Sequence, residues 1–201
     1  MDFQEQNRLF KVRKTSLEMV ADRGITVPTL FDITFEEFKA QYDAKNIDIY
    51  IHDEEKDKKV YLHFYNETKS FGKNELKNLM ARLLQTYEDE NMIVILLLRD
   101  KENSMVTKEL QKPIYANVEI FLQSRMTFNI THHILVPKHI LLNTDEENEV
   151  LAKYNITKSK LPKLLKTDPV ARYYGMKTDQ ICKILRHSPV SGYSVYYRVV
   201  K

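Results

Sequence analysis

Three histidines crowd one short stretch of this chain, His132, His133 and His139 in "HHILVPKH". Imidazole is a common zinc ligand, but a zinc site needs its ligands converging on one ion. Adjacent side chains on an extended strand point to opposite faces, so His132 and His133 do not converge, and a structural role is the expectation. Cys182 stands in an apolar alternating run without a neighbouring base, which predicts a small buried hydrophobe rather than a nucleophile. Asp48, followed by "EEK" at Glu54–Lys56, loosely matches the carboxylate–lysine set of metal-dependent nucleases, which binds magnesium and activates water. Here, however, the "EEK" falls in a predicted turn and not on the facing strand, so a solvated hairpin tip is expected. With four glycines in all, the chain has no Walker or dinucleotide-binding fingerprint. These residues predict no catalytic centre, no cofactor and no metal. The reading from residues alone is a non-catalytic two-domain protein, with a nuclease-like enzyme as the minor alternative.

The elements that must position these groups can be read from periodicity. Residues 5–23 predict a helix, with Leu9, Val12, Ser16, Leu17 and Val20 on one face and Gly24 at the position after its C-cap. Arg8, Lys11, Arg13 and Lys14 form its expected solvated face. Thr34 and Glu37 have the spacing of a capping box before "FEEFKAQY". "IDIYI" and "VYLHFY" read as strands joined by "HDEEKDKK". Leu76, Leu79, Met80, Leu83, Leu84 and Tyr87 mark a long amphipathic helix within Lys73–Glu90. The unbroken apolar run "MIVILLL" predicts a strand buried on both faces, so strand, helix and strand point to a parallel crossover. Ser104 is the expected cap of a short helix ended by Pro113, and "YANVEIFL" supplies another strand. Further on, Thr144 and Glu147 have capping-box spacing, with Val150, Leu151 and Tyr154 on one face of the helix that follows. Asp168 is a good N-cap, Pro169 suits the first helical position, and Gly175 can end the helix "VARYY". "QICKILR" and "YSVYYRVV" then alternate as a strand pair across "HSPVSG". The predicted fold is α+β overall: an α/β N-terminal domain over 1–130 and a small α+β C-terminal domain over 131–201.

Charge divides the chain in a similar place. Residues 1–131 carry 19 Lys/Arg against 22 Asp/Glu, whereas residues 132–201 carry 12 against 6, a net −3 followed by a net +6. Such asymmetry predicts two bodies with different partners. The longest apolar run, Met92 to Leu98, has seven residues, far short of a membrane span, so no membrane partner is expected. The polar start "MDFQEQNRLF" does not read as a signal peptide, and a single cysteine excludes an internal disulfide and fits a reducing compartment.

Against this background, "DPVARYYGMKTDQICKILR", preceded by "HHILVPKHILL" and "LPKLLKTDP", resembles the fifth subunit shared by eukaryotic RNA polymerases I, II and III. The C-terminal region is also similar to a small archaeal RNA polymerase subunit that consists of this domain alone. The resemblance continues through "RLFKVRKT", "ADRG" and "FEEFKAQY" and so spans essentially the whole chain. There are departures. In "RHSPVSG", Arg186–Gly192, Pro189 replaces the family's glutamate. Asp179 stands where glycine is common. The family's Thr-Pro-Ser-Ala turn aligns with Asn103–Val106 and keeps only Ser104.

The resemblance implies a structural subunit of a DNA-directed RNA polymerase, with catalysis done elsewhere in the assembly. Its C-terminal domain would dock on the largest subunit, among other polymerase subunits. His139, Asp168, Pro169, Arg172, Tyr173, Tyr174, Arg186, Tyr197 and Arg198 are the docking candidates. Its N-terminal domain would form part of the jaw and meet downstream duplex DNA weakly, within the assembly, through Lys101, Ser104, Lys108 and Lys112. A nuclear setting is implied for a cellular chain, and a viral factory or virion for one encoded by a large DNA virus. A free-standing adaptor paralogue is the alternative within the same resemblance.

Overall fold

In the computed structural model, which describes residues 3–43, 47–67, 69–87, 91–100, 103–188 and 192–201, two units divide the chain: Met1–Phe128 and Asn129–Lys201. The first unit opens with helices α1 (Phe3–Asp22) and α2 (Phe35–Asp43). Strands β1 (Ile49–Asp53) and β2 (Lys58–Tyr65) follow, then helix α3 (Lys73–Tyr87) and strand β3 (Ile93–Leu98). Helix α4 (Ser104–Glu109) and strand β4 (Val118–Leu122) complete it. The sheet order is β1-β2-β3-β4, with β1 antiparallel to β2, and β3 parallel to both β2 and β4.

Why β3 is central follows from its composition. Every residue from Val94 to Leu98 is fully buried, because an unbroken aliphatic run has no solvent face to offer. Val94, Leu96 and Leu98 join Leu76, Leu79 and Leu83 of α3 in one cluster. The opposite sheet face receives the end of α1. There Arg23 donates two hydrogen bonds to Glu119 at 3.1 and 2.7 Å and lies 6.0 Å from the centroid of Phe121, both residues alternating with the cluster-facing Val118 and Ile120. Gly24, at φ +76°, ends α1: its N–H bonds Ala21 O at 2.8 Å and the Ile25 N–H bonds Val20 O at 3.3 Å, the paired closure of a left-handed C-terminal cap. Thr34 and Glu37 make the predicted capping box, with Thr34 N–H to Glu37 Oε2 at 2.7 Å.

The second unit contains β5 (Lys138–Leu141), α5 (Thr144–Tyr154), β6 (Lys163–Leu164), α6 (Pro169–Tyr173), β7 (Ile181–Ser188) and β8 (Gly192–Val200). Its sheet order is β5-β7-β8-β6, antiparallel except where β6 runs parallel to β8. Strand alternation gives this thin sheet a core on each face. Cys182, Ile184 and Val200 pack with Leu164, Ala171 and Met176, while Ile181 and Val199 pack with Leu142, Leu161, Val150 and Leu151.

Several local expectations move by one residue. The cap of α4 is Asn103, whose side chain accepts from Met105 N–H at 3.1 Å, and Ser104 is the first helical residue. The capping box of α5 is Asn143 with Glu146, not Thr144 with Glu147. Both residue pairs have the required spacing, and burial of Glu147 for another purpose decides between them. His132 ends a 3-10 turn and His133 follows it, rather than both lying on a strand. Pro189 and Lys101 lie outside the described residues.

Candidate docking and nucleic-acid surfaces

At the centre of the second unit, Asp168 caps α6. Its carboxylate accepts from Val170 N–H at 2.8 Å and from Ala171 N–H at 3.4 Å, satisfying amides that have no helical partner. Pro169 takes the first helical position, where its missing N–H costs nothing. Gly175, at φ +61°, and Met176 close the other end onto Arg172 O and Ala171 O at 3.0 and 2.9 Å. Within this frame Tyr173 is buried, its hydroxyl accepting from Asn129 Nδ2 at 2.8 Å and its ring set edge-on to Tyr174 at 5.2 Å. Tyr173 therefore holds the unit together from inside. Tyr174 packs on the α6-side core and stays half-buried.

The remaining candidates reach the surface. Arg186 and Arg198 are exposed on β7 and β8, on one face of the sheet by register, and Arg198 donates to Lys163 O at 3.0 Å. Tyr197 lies on the other face against Tyr154, with ring centroids 5.9 Å apart. His139, on β5, points its Nδ1 at Pro137 O across 2.7 Å; a carbonyl only accepts, so Nδ1 carries the proton. Cys182 is fully buried and its thiol is pushed up to about 11 by desolvation, leaving almost no thiolate at neutral pH.

In the first unit the predicted DNA corner is drawn differently. Ser104 and Lys108 are exposed on α4. Lys112 instead pairs with Glu109 at 2.7 Å, and Lys73 approaches the same buried carboxylate at 3.0 Å. Those two cations hold Glu109 ionised, with its pKa below the usual carboxylate range. Among the described residues, Lys108 is left as the open cation of this helix.

Asp48 and "EEK" stand at opposite ends of β1, since all five residues of that strand separate them. The Asp48 carboxylate is already occupied. It accepts from Tyr61 Oη at 2.9 Å, Phe64 N–H at 2.9 Å and His63 Nδ1 at 2.8 Å. Lys56 turns away from it to bond Gly24 O. Asp53, next to the turn, caps Thr26 N–H at 2.7 Å. Among the described residues no three His, Cys, Asp or Glu side chains gather as a metal site would require.

Two buried charges were not legible from spacing. Arg13, expected on the solvated face of α1, is 4% exposed, with burial lowering its pKa and its Nε without a hydrogen-bond partner. Glu147 is buried, accepts from Ile181 N–H at 2.7 Å and pairs with Lys158, which also donates to Asp179 O at 2.9 Å. This node ties α5 to the start of β7. Asp179 itself has φ +68°, a left-handed residue where the resemblance places glycine, and Lys201 pairs with its carboxylate.

Comparison with known proteins covers both units. The family described as RNA polymerase Rpb5, N-terminal domain, matches residues 3–83, and RNA polymerase Rpb5, C-terminal domain, matches residues 128–200. The chain is 31% identical to the DNA-directed RNA polymerases I, II, and III subunit RPABC1 of Caenorhabditis elegans, over 98% of this chain and 97% of that protein. It is 30% identical to the subunit rpabc1 of Dictyostelium discoideum, over 96% and 97% respectively. Matched in both domains and along nearly its whole length, the chain belongs to the RNA polymerase Rpb5 family.

Proposed function

We propose that this chain is a structural, non-catalytic subunit of a DNA-directed RNA polymerase. The observation that carries the reading is the match to shared polymerase subunits along nearly the whole length of both chains. The geometry supports it: the Asp48 carboxylate of the nuclease-like reading is engaged by Tyr61, His63 and Phe64, and the Cys182 thiol is buried. In this reading the second unit docks on the largest subunit through the exposed side chains among the candidates, above all Arg186, Arg198 and the rim of Tyr197. Asp168, Pro169 and Tyr173 act from beneath, by fixing α6. The first unit forms part of the jaw and meets downstream DNA through Lys108 and Ser104 of α4, with Lys112 engaged by Glu109 and Lys101 a further candidate from the sequence. Work in the nucleus fits a cellular chain, and work in a viral factory or virion fits a viral one. The test is affinity purification of the tagged chain from its native cells or virions. Large polymerase chains returning in stoichiometric amount are expected. Their absence, with another set of partners in their place, would make the chain a separate adaptor.

A further inference from the structure

The C-terminal sheet has one long edge that no strand covers among the described residues. Strand β6 contributes only Lys163 and Leu164, paired with Val199 and Val200, whereas β8 runs for nine residues. The direction of the backbone groups is set by two bonds: Val199 N–H goes to Pro162 O at 2.9 Å and Lys201 N–H to Leu164 O at 2.8 Å, both toward β6. On the other side, Val200 N–H goes to Gln180 O at 2.9 Å, toward β7. Alternation then turns the N–H and C=O of Tyr193, Val195 and Tyr197 to the β6 side, beyond the reach of the two-residue β6.

Natural edges of this length are usually blunted by lysine, proline or a bulge, because unpaired amides and carbonyls template another strand. Residues 192–197, "GYSVYY", contain neither charge nor proline. Tyr193, Val195 and Tyr196 are 71%, 46% and 50% exposed. The surroundings carry one sign of charge: residues 150–167 and 181–201 contain Lys and Arg but no Asp or Glu. A strand entering here would lie along a basic border with apolar side chains on both faces.

We infer that the free edge of β8 receives an extended, acidic segment of another polymerase subunit as an added strand. The inference rests on the reading of this chain as a polymerase subunit and specifies how the second unit is held. Main-chain hydrogen bonds give the affinity, Tyr193 and Val195 select alternate side chains of the incoming segment, and Arg186 with its basic neighbours favours carboxylates.

Hydrogen–deuterium exchange on the full chain, free and within the purified polymerase, tests this. In the free chain the amides of Tyr193, Val195 and Tyr197 exchange rapidly. In the assembly they slow by about a hundredfold or more. Val195→Pro removes one outward donor and leaves the bonds to β7 in place, so it is expected to lower retention in the polymerase, whereas Val195→Thr retains it. Arg186→Glu lowers retention and Arg186→Lys does not. Stoichiometric assembly with all three amides still exchanging at the free rate would overturn strand addition while leaving the subunit role intact. Protection already present in the free chain would overturn it too, because the edge would then be covered by the chain itself. Full retention of Arg186→Glu would overturn the acidic character of the segment. A chain that recovers no polymerase at all would instead overturn the reading on which the inference rests.

Discussion

At Asp48, burial pushes the carboxyl pKa up while hydrogen bonds from His63, Phe64 and Tyr61 push it down, and the bonds win. A carboxyl whose folded pKa lies below its unfolded one contributes stability that is fully present above the unfolded value. That stability is lost as pH falls through the folded value. The first unit is therefore expected to lose stability below about pH 4, the ordinary carboxylate range. Asp48→Asn should flatten that acid limb and cost about 1–3 kcal/mol at neutral pH, since a neutral amide cannot accept from all three donors. Urea unfolding between pH 3 and pH 7 measures both effects, and an unchanged acid limb would show that other carboxylates govern it. Desolvation, the Asp48 charge and its own hydrogen bond to Asp48 push the Tyr61 hydroxyl upward, so Tyr61 stays a donor throughout this range.

Among the elements, α6 is the shorter of the two described α-helices of its unit and the more dependent on its ends. Five residues cannot sustain a helix by propagation alone, so the cap at Asp168 and the closure at Gly175 carry a large share of its stability. Asp168→Ala removes the acceptor for two amides, one of them on fully buried Ala171, and should cost about 0.5–2 kcal/mol. Pro169→Ala should cost less, because no helical bond is lost at the first position. Chemical denaturation of the full chain ranks the two. The reverse order would mean that the proline ring, and not the carboxylate, fixes the entry to α6.

For the whole molecule, charge separates the units. Residues 129–131 are uncharged, so the units carry the same net −3 and +6 as the sequence halves, and the acidic unit is the one proposed to face DNA. A net-acidic body repels a duplex except at a local cation, so the proposed contact with DNA requires the assembly to hold the corner in place. The double substitution of Lys101 and Lys108 by Ala is expected to reduce the salt dependence of downstream-duplex binding by the complete polymerase by about one to two units of slope. Sequence preference should not change, because phosphate contacts carry no base information. A correctly assembled enzyme with an unaltered slope would remove this corner from the DNA path and leave the docking role unaffected.

Local patterns in the sequence determined the secondary elements and the family. Periods of two and of 3.6 residues, an unbroken apolar run, and glycine and proline punctuation are properties of a few neighbouring residues, and α3, the β7–β8 pair, β3 and α6 follow from them directly. The motifs around "DPVARYYG" carried the family for the same reason, as short elements in a fixed order. The tertiary structure alone decided which of two equally spaced residues caps a helix. Glu147 is withdrawn to bond Ile181, 34 residues away in sequence, so Asn143 and Glu146 form the box on α5. It alone buried Arg13 on a helix whose charge pattern promised solvent, drew Lys112 onto Glu109, and left β8 with more length than β6 can cover. Each of these depends on what distant parts of the chain bring alongside. Spacing within a segment cannot encode that, because burial and pairing are fixed only when the segments pack.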